Sequence, residues 1–389
     1  MRSSKATFVL VAFLILLAVS ESTAQGTFTS IRDIAYAGDP LDSHKLDLHI
    51  PNGATGPLPV VIWIHGGGWQ SGDKTLGPNS FQLRYARNGY VVASLNYRLS
   101  SEAIFPAQIH DCKAAIRWLR ANAAQYNLDP TRFGVWGSSA GGHLAALVGT
   151  TGDVADMEGS VGGNTQYSSR VQAVVDWYGP TDFLQMDSHA QAQGCTASNH
   201  NSANSAESLL VGCPIQTCPE AVRRANPLTF YTPDDSPFFI QHGTTDCTVA
   251  MGQSQILQAL FQDQGHDSVY TPIAGAGHGG PLFSAESNLL QVDAFLRSRL
   301  RDLTPQPLSI SGRVTTPAGQ GVRNVKVLIT SPSGTSASVT TSSFGYYQFE
   351  NVASGDVYTI SAVSKRYRFA PRVLQPLTDL TSVDLTGLE

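Results

Sequence analysis

Short apolar runs, each bounded by Gly, Pro or polar turn residues, set the strongest limit on how this chain can fold. Leu58-Pro59-Val60-Val61-Ile62-Trp63-Ile64 is the first; Val91–Leu95, Arg132–Trp136, Val171–Trp177 and Phe238–Gln241 repeat the pattern. A run without polar alternation is the mark of a strand covered on both faces. Between the runs lie helical stretches at about 78–88, 107–125, 139–150, 250–264 and 282–300. Strands alternating with helices predict an α/β body built on a mostly parallel central sheet. The opening segments Ser30–Tyr36 and His44–Ile50 alternate more cleanly, which suits an antiparallel hairpin at one sheet edge.

The rhythm breaks twice. Residues 183–236 are rich in Ser, Asn, Gln and Cys and hold few strand-like runs. A connection this long inside a compact domain is usually a lid or binding loop, so we read it as an insertion over one end of the sheet. After Arg301 helical patterning stops. Residues 304–308 form a short Pro-bearing linker, and 309–389 carry short strands at turn-punctuated intervals, as in a small all-β sandwich. The main domain is therefore expected over 25–303 and the sandwich over 309–389.

Residues 1–24 read as an export signal. Arg2 and Lys5 precede an apolar run from Ala6 to Val19, and Ser22-Thr23-Ala24 offers small residues for cleavage. The run is about 14 residues, short of the ~20 that span a bilayer. The mature chain is expected to be secreted or periplasmic, with no membrane attachment after cleavage.

Apolar residues make up 42% of the 389 and charged residues 14%, which excludes a largely disordered chain. The formal charge is −5, and no block of like cations marks a nucleic-acid surface. Residues 308–389 carry seven Lys and Arg against five Asp and Glu, and residues 1–24 two against one, leaving the body between at −8. The charge shift falls at the proposed domain boundary.

Export changes how the five cysteines read, because disulfides persist in oxidising compartments. Cys112 lies on the apolar face of a helical stretch and is expected to be the free, inert one. Cys213 and Cys218 could close a short loop, leaving Cys195 for Cys247, although four cysteines allow three pairings. No metal or organic cofactor is expected; for a metal, no His stands at the usual offset from a Cys-x₂-Cys pair.

Three constellations carry chemistry. Gly137-Ser138-Ser139-Ala140-Gly141 sits between a predicted strand and a predicted helix, where a sharp turn would expose the Ser139 hydroxyl. Alone this pentapeptide is a weak signal. His65-Gly66-Gly67-Gly68-Trp69 follows another buried strand, and its backbone N–H groups can approach a ligand oxygen closely. It lacks the endings of phosphate- or dinucleotide-binding loops. A serine nucleophile needs a base, and the base a carboxylate. In chain order the candidates are Asp246, after the strand at 238–241, and His278, bracketed by glycines before the last helix. Asp176 and Asp182 compete as acids; His65 and His242 read as structural.

These segments, with Phe105–Arg120 and Asn226–Pro237, resemble the α/β-hydrolase fold esterases, in particular bacterial acetylxylan and feruloyl esterases, and are also similar to hormone-sensitive-lipase-type esterases. The resemblance covers about residues 30–300. It implies a Ser139–His278–Asp246 triad, with the N–H groups of Gly67, Gly68 and Ala140 as oxyanion donors. It implies an ester substrate, acetylated or feruloylated plant polysaccharide being favoured over a large lipid. An arylformamidase or peptidase on the same fold, and a non-catalytic adhesion or binding scaffold, are the rival readings. Cys247 follows the acid directly, so a bridge there would tether its loop to the insertion. The tail resembles carboxypeptidase-regulatory-like sandwiches. Tyr346, Tyr347, Tyr358 and Tyr367 could form a sugar-stacking platform there, or its core.

Overall fold

The computed structural model describes residues 26–388, apart from 55, 153, 197–198, 302–306, 332–333, 354–356, 375 and 377–379. The expected export signal lies outside these residues, as do positions 304–306 of the expected linker. The linker's last two residues, Pro307 and Leu308, already belong to a strand.

In chain order the body holds β1 (Phe28–Ala35), β2 (Lys45–Pro51), β3 (Leu58–Ile64), α1 (Gln82–Arg87), β4 (Val91–Leu95), α2 (Ala107–Ala121), α3 (Ala123–Tyr126), β5 (Leu128–Ser138), α4 (Ala140–Thr150), α5 (Ala155–Glu158) and β6 (Ala173–Trp177). The insertion follows with α6 (Met186–Ala192), α7 (Ala206–Val211) and α8 (Pro219–Arg224), and the body closes with β7 (Phe238–Gly243), α9 (Gly252–Asp263), β8 (Ser268–Ile273) and α10 (Glu286–Leu300). The eight strands form one sheet in the order β1-β2-β4-β3-β5-β6-β7-β8. β1, β2 and β4 pair antiparallel, and every pair from β4 to β8 is parallel. The hairpin therefore sits at one edge, and the apolar runs occupy the middle.

Alternation along β3 shows why those runs are continuous. Val60, Ile62 and Ile64 pack into the core shared with α2, α4 and α9, while Val61 and Trp63 pack into the core under α1 and α10. Each such side chain contributes about 1.5–3 kcal/mol by leaving water. The stretch expected as one helix over 107–125 is two. Asn122 ends α2 by donating its Nδ2 to the Trp118 carbonyl at 2.8 Å.

Among its described residues the insertion holds no strand, as its composition predicts, but it is not a bare loop. Those residues hold three short α-helices and three 3₁₀ turns, and no helix among the described residues of the chain is long and apolar enough to cross a membrane.

The tail adds β9 (Pro307–Thr315), β10 (Lys326–Thr330), β11 (Ser336–Thr340), β12 (Tyr346–Ala353), β13 (Tyr358–Val363), β14 (Arg368–Phe369), β15 (Arg372–Leu374) and β16 (Leu385–Leu388). They form two four-stranded sheets, β11-β10-β13-β15 and β12-β9-β16-β14. Val327, Ile329, Phe349 and Ile360 belong to the core they enclose. The tyrosine platform does not form. Tyr347 and Tyr358 are buried in this core, whereas Tyr346 is 58% exposed beneath Arg313. Successive strand residues point to opposite faces, so Tyr346 and Tyr347 cannot share one.

Candidate active site

Ser139, Asp246, His278 and the glycine loop each lie beyond the C-terminal end of a parallel strand. Ser139 follows β5, Asp246 follows β7, His278 follows β8, and the glycine loop follows β3. That end of an α/β sheet is where loops converge around ligands.

Ser139 sits at φ 56° and ψ −123°, outside the comfortable regions for a side-chain residue. Its N–H donates to the Trp177 carbonyl at 2.9 Å, and its own carbonyl accepts from His143 N–H at 3.0 Å. The flanking glycines serve the turn by leaving room. A Cβ on Gly137 would stand 2.0 Å from the Gly141 carbonyl oxygen, and one on Gly141 would stand 2.1 Å from that of Ile64. The strain falls on the serine and the closeness on the glycines, which the Gly-x-Ser-x-Gly spacing alone does not distinguish.

The three polar side chains meet in a line. Ser139 Oγ is 2.8 Å from His278 Nε2, and His278 Nδ1 is 2.7 Å from Asp246 Oδ2. The carboxylate is buried, and its Oδ1 accepts from the N–H groups of Thr248 at 2.9 Å and Val249 at 3.0 Å. Burial alone would raise the Asp246 pKa, but hydrogen bonds from His242 and His278 outweigh it and hold the carboxyl well below the usual range. An ionised acceptor at Nδ1 keeps that nitrogen protonated, so Nε2 is free to accept from the serine.

Asp176 and Asp182 are not part of this line. Asp182 caps a 3₁₀ turn by accepting from Leu184 N–H at 3.0 Å. Asp176 is buried against the elbow, accepting from Gly179 N–H at 2.9 Å, and burial raises its carboxyl to about 6. His242 lies behind the acid. Its Nε2 donates to the Val249 carbonyl at 2.7 Å and lies 3.3 Å from Asp246 Oδ2, while Nδ1 meets Ser254 Oγ at 2.7 Å. His65 is stacked on Tyr97 with ring centroids 4.5 Å apart, and burial lowers its pKa. Both are buried among framework contacts.

Gly67 and Gly68 take φ 111° and 60°, conformations that favour glycine, and Ala140 is the first residue of α4, where a helix leaves its N–H without an internal acceptor. Among the described residues, no acceptor is bonded to the N–H of Gly67 or Gly68. All three positions line one pocket of about 770 Å³ with Ser139 and His278.

Sequence reasoning missed several residues of this pocket. Tyr178 packs edge-on against His278 with centroids 4.7 Å apart, and burial pushes its hydroxyl up to about 12. Its only sequence signal is its place at the end of a buried strand. Asn199, His200, Ser205 and Glu207 come from the insertion, where no motif marked them. The bridges are Cys195–Cys247 and Cys213–Cys218, with Cys112 free and buried. Burial raises the Cys112 thiol well above its ordinary value, consistent with an inert core residue.

Family models match both parts of the chain, an esterase-family domain in the body and a carboxypeptidase-regulatory-like domain in the tail. The BD-FAE family model matches residues 46–261, and the carboxypeptidase regulatory-like domain model matches residues 309–382. The chain belongs to the BD-FAE family. Esterase LipC of Mycobacterium tuberculosis is 31% identical over 253 residues, covering 64% of this chain and 60% of LipC. The probable carboxylic ester hydrolase LipM of the same organism is 29% identical over 246 residues, 62% of this chain and 54% of LipM. The matched region thus spans less than two-thirds of these relatives. A truncated carbohydrate esterase from gut microbiota superposes with a TM-score of 0.65 at 34% identity, over 71% of this chain and 97% of that one. A bifunctional GH43-CE protein of Bacteroides eggerthii gives 0.64 at 36% identity, over 69% of this chain and 35% of that one.

Proposed function

We propose that the chain is an exported serine esterase that acts through an acyl-enzyme on short acyl or feruloyl esters of plant polysaccharide. The observation that carries this reading is the Ser139–His278–Asp246 line, with Oγ–Nε2 and Nδ1–Oδ2 separations of 2.8 and 2.7 Å. Ser139 Oγ attacks the ester carbonyl carbon while His278 Nε2 takes its proton. Asp246 holds the imidazole and stabilises the imidazolium that forms. The developing oxyanion is met by the N–H groups of Gly67, Gly68 and Ala140, donors of a kind each worth about 10²–10³ in rate. His278 then protonates the leaving alkoxide. Water, deprotonated by the same His278, releases the acid and restores Ser139.

The carbohydrate-esterase neighbours support polysaccharide as the alcohol side. The Cys195–Cys247 and Cys213–Cys218 bridges suit export under a signal at 1–24 that is removed, leaving an esterase domain over 25–303 and a sandwich over 309–389.

The test compares the mature chain with Ser139→Ala on p-nitrophenyl acetate, acetylated xylan and methyl ferulate, beside labelling by a fluorophosphonate. The wild type is expected to label and to release acetate or ferulate, and Ser139→Ala to lose at least ~10³-fold in kcat while remaining folded. Undiminished activity in Ser139→Ala would overturn the nucleophile assignment. Absence of labelling would point to a non-catalytic scaffold, and faster amide than ester turnover to an amidase.

A further inference from the structure

The pocket has walls of two origins. Ser139, Ala140, His278 and the glycine loop supply one; Asn199, His200, Ser205 and Glu207 of the insertion contribute to the other. The insertion reaches the glycine loop closely, since a methyl placed on Gly68 would stand 3.5 Å from Ala206 Cβ.

Glu207 is the unusual member. It is only 4% exposed, and its Oε1 faces His200 Nδ1 at 3.0 Å. Its Oε2 is buried and has no hydrogen-bond partner among the described residues. Trp69, which ends the glycine loop and lines the same pocket, is 2% exposed, and its indole Nε1 also lacks a partner. Native interiors rarely leave such groups unsatisfied, and a ligand that supplies the missing bonds accounts for them. One is an acceptor and the other a donor. A hydroxyl-bearing ligand satisfies both: one O–H donates to Glu207 Oε2, and a hydroxyl or ring oxygen accepts from Trp69 Nε1. For an acetyl ester, whose acyl group offers no hydroxyl, the demand falls on the alcohol half.

We propose that Glu207 and Trp69 form a subsite for the hydroxyl groups of a sugar on the alcohol side of the scissile ester, with His200 holding the carboxylate in place. This rests on the esterase reading above. The arrangement is braced from behind, because the Asp187 carboxylate accepts the N–H groups of His200 at 2.8 Å and Asn201 at 3.0 Å. Burial disfavours a charged His200, yet hydrogen bonding and attraction to Glu207 raise its pKa. The carboxylate is thus held by His200 on one oxygen and keeps the other for a ligand.

The experiment compares acetylated xylobiose with p-nitrophenyl acetate, which share the acyl group and differ in the alcohol. The ratio of kcat/KM for the sugar ester to that for the aryl ester is measured in the wild type, Glu207→Gln and Trp69→Phe, with melting temperature as the folding control. Each substitution is expected to lower the ratio about tenfold, mainly through KM on the sugar ester. Equal losses on both esters would overturn the subsite and leave Glu207 as a support for the insertion. A loss confined to methyl ferulate relative to methyl cinnamate would overturn it too, placing the polar wall on the acyl side. A wild type that labels with fluorophosphonate but releases no acetate from xylobiose would overturn the sugar subsite alone. One that does not label would overturn the esterase reading beneath it.

Discussion

Cys195 and Cys247 are bridged across 52 positions of sequence, and Cys247 is the residue directly after Asp246. Gln193 reinforces this link from the same segment. Its Nε2 donates to the Asp246 carbonyl at 2.6 Å, and its Oε1 accepts from Met251 N–H at 2.9 Å. The insertion thus holds the acid-bearing turn at three points, and the orientation of His278 depends on that turn.

Replacing both partners of this bridge, Cys195→Ser with Cys247→Ser, should lower stability by about 4 kcal/mol, the chain-entropy expectation for a loop of this length. Removing Cys213–Cys218, which spans five positions, should cost about 2 kcal/mol by the same relation. Urea unfolding checks the order. Because the longer bridge also positions Asp246, its loss should reduce kcat more than it changes KM. An unaltered kcat would leave it a purely structural staple.

Asp246→Asn should keep the fold and lower kcat by about 10³–10⁴ with a much smaller change in KM. The amide cannot stabilise imidazolium, and its donor side favours the wrong tautomer of His278. Steady-state kinetics on p-nitrophenyl acetate decide this. A loss appearing mainly in KM would argue against an orienting role.

Gly141→Ala places a methyl 2.1 Å from the Ile64 carbonyl oxygen, a backbone atom that cannot swing aside. The elbow must then separate from β3, where both the serine turn and the glycine loop are anchored. We expect a loss of about 3 kcal/mol in stability, the upper end of what overpacking a tight core costs. A circular-dichroism melt of the purified variant shows it directly, and a wild-type midpoint would contradict the close approach.

Asp176→Asn tests the buried carboxyl beside the elbow. Its pKa is raised by burial to about 6 from an ordinary value of 3.8, so the native state keeps its proton after the unfolded chain has lost it. Between these values the native state binds more protons, and wild-type stability falls as pH rises from about 4 to about 6, then levels off. Asparagine cannot ionise, so the variant should gain on the wild type across that window by about 3 kcal/mol. Urea midpoints at a series of pH values check it; a difference independent of pH would show that Asp176 ionises normally.

Much of this molecule was readable from local pattern alone. Val60–Ile64 and Val91–Leu95 had to be central strands, because an apolar run bounded by turn residues has no wet face to offer. Gly137–Gly141 and His65–Trp69 were recognisable because a strained serine turn and a close backbone approach each demand glycine at fixed spacing. Asp246 and His278 followed from their order along the chain. The tail's longer strands were legible, but Arg368–Phe369 and Arg372–Leu374 are too short to show a period.

The rest depended on three-dimensional packing. Nothing local distinguishes Glu207 from other glutamates in helix first turns. Its buried, half-partnered carboxylate exists only because the insertion folds over the strand ends. Tyr178 touches His278 because adjacent loops converge, although 100 positions separate them in the chain. Tyr346 and Tyr347 divide between solvent and core according to the pleat of β12. Residue spacing therefore determined the fold class and the candidates for attack, base and acid, since those depend on backbone conformation and chain order. The pocket's far wall, the disulfide partners and the burial of each charge were decided by tertiary structure, because they arise from contacts between segments whose sequences carry no record of each other.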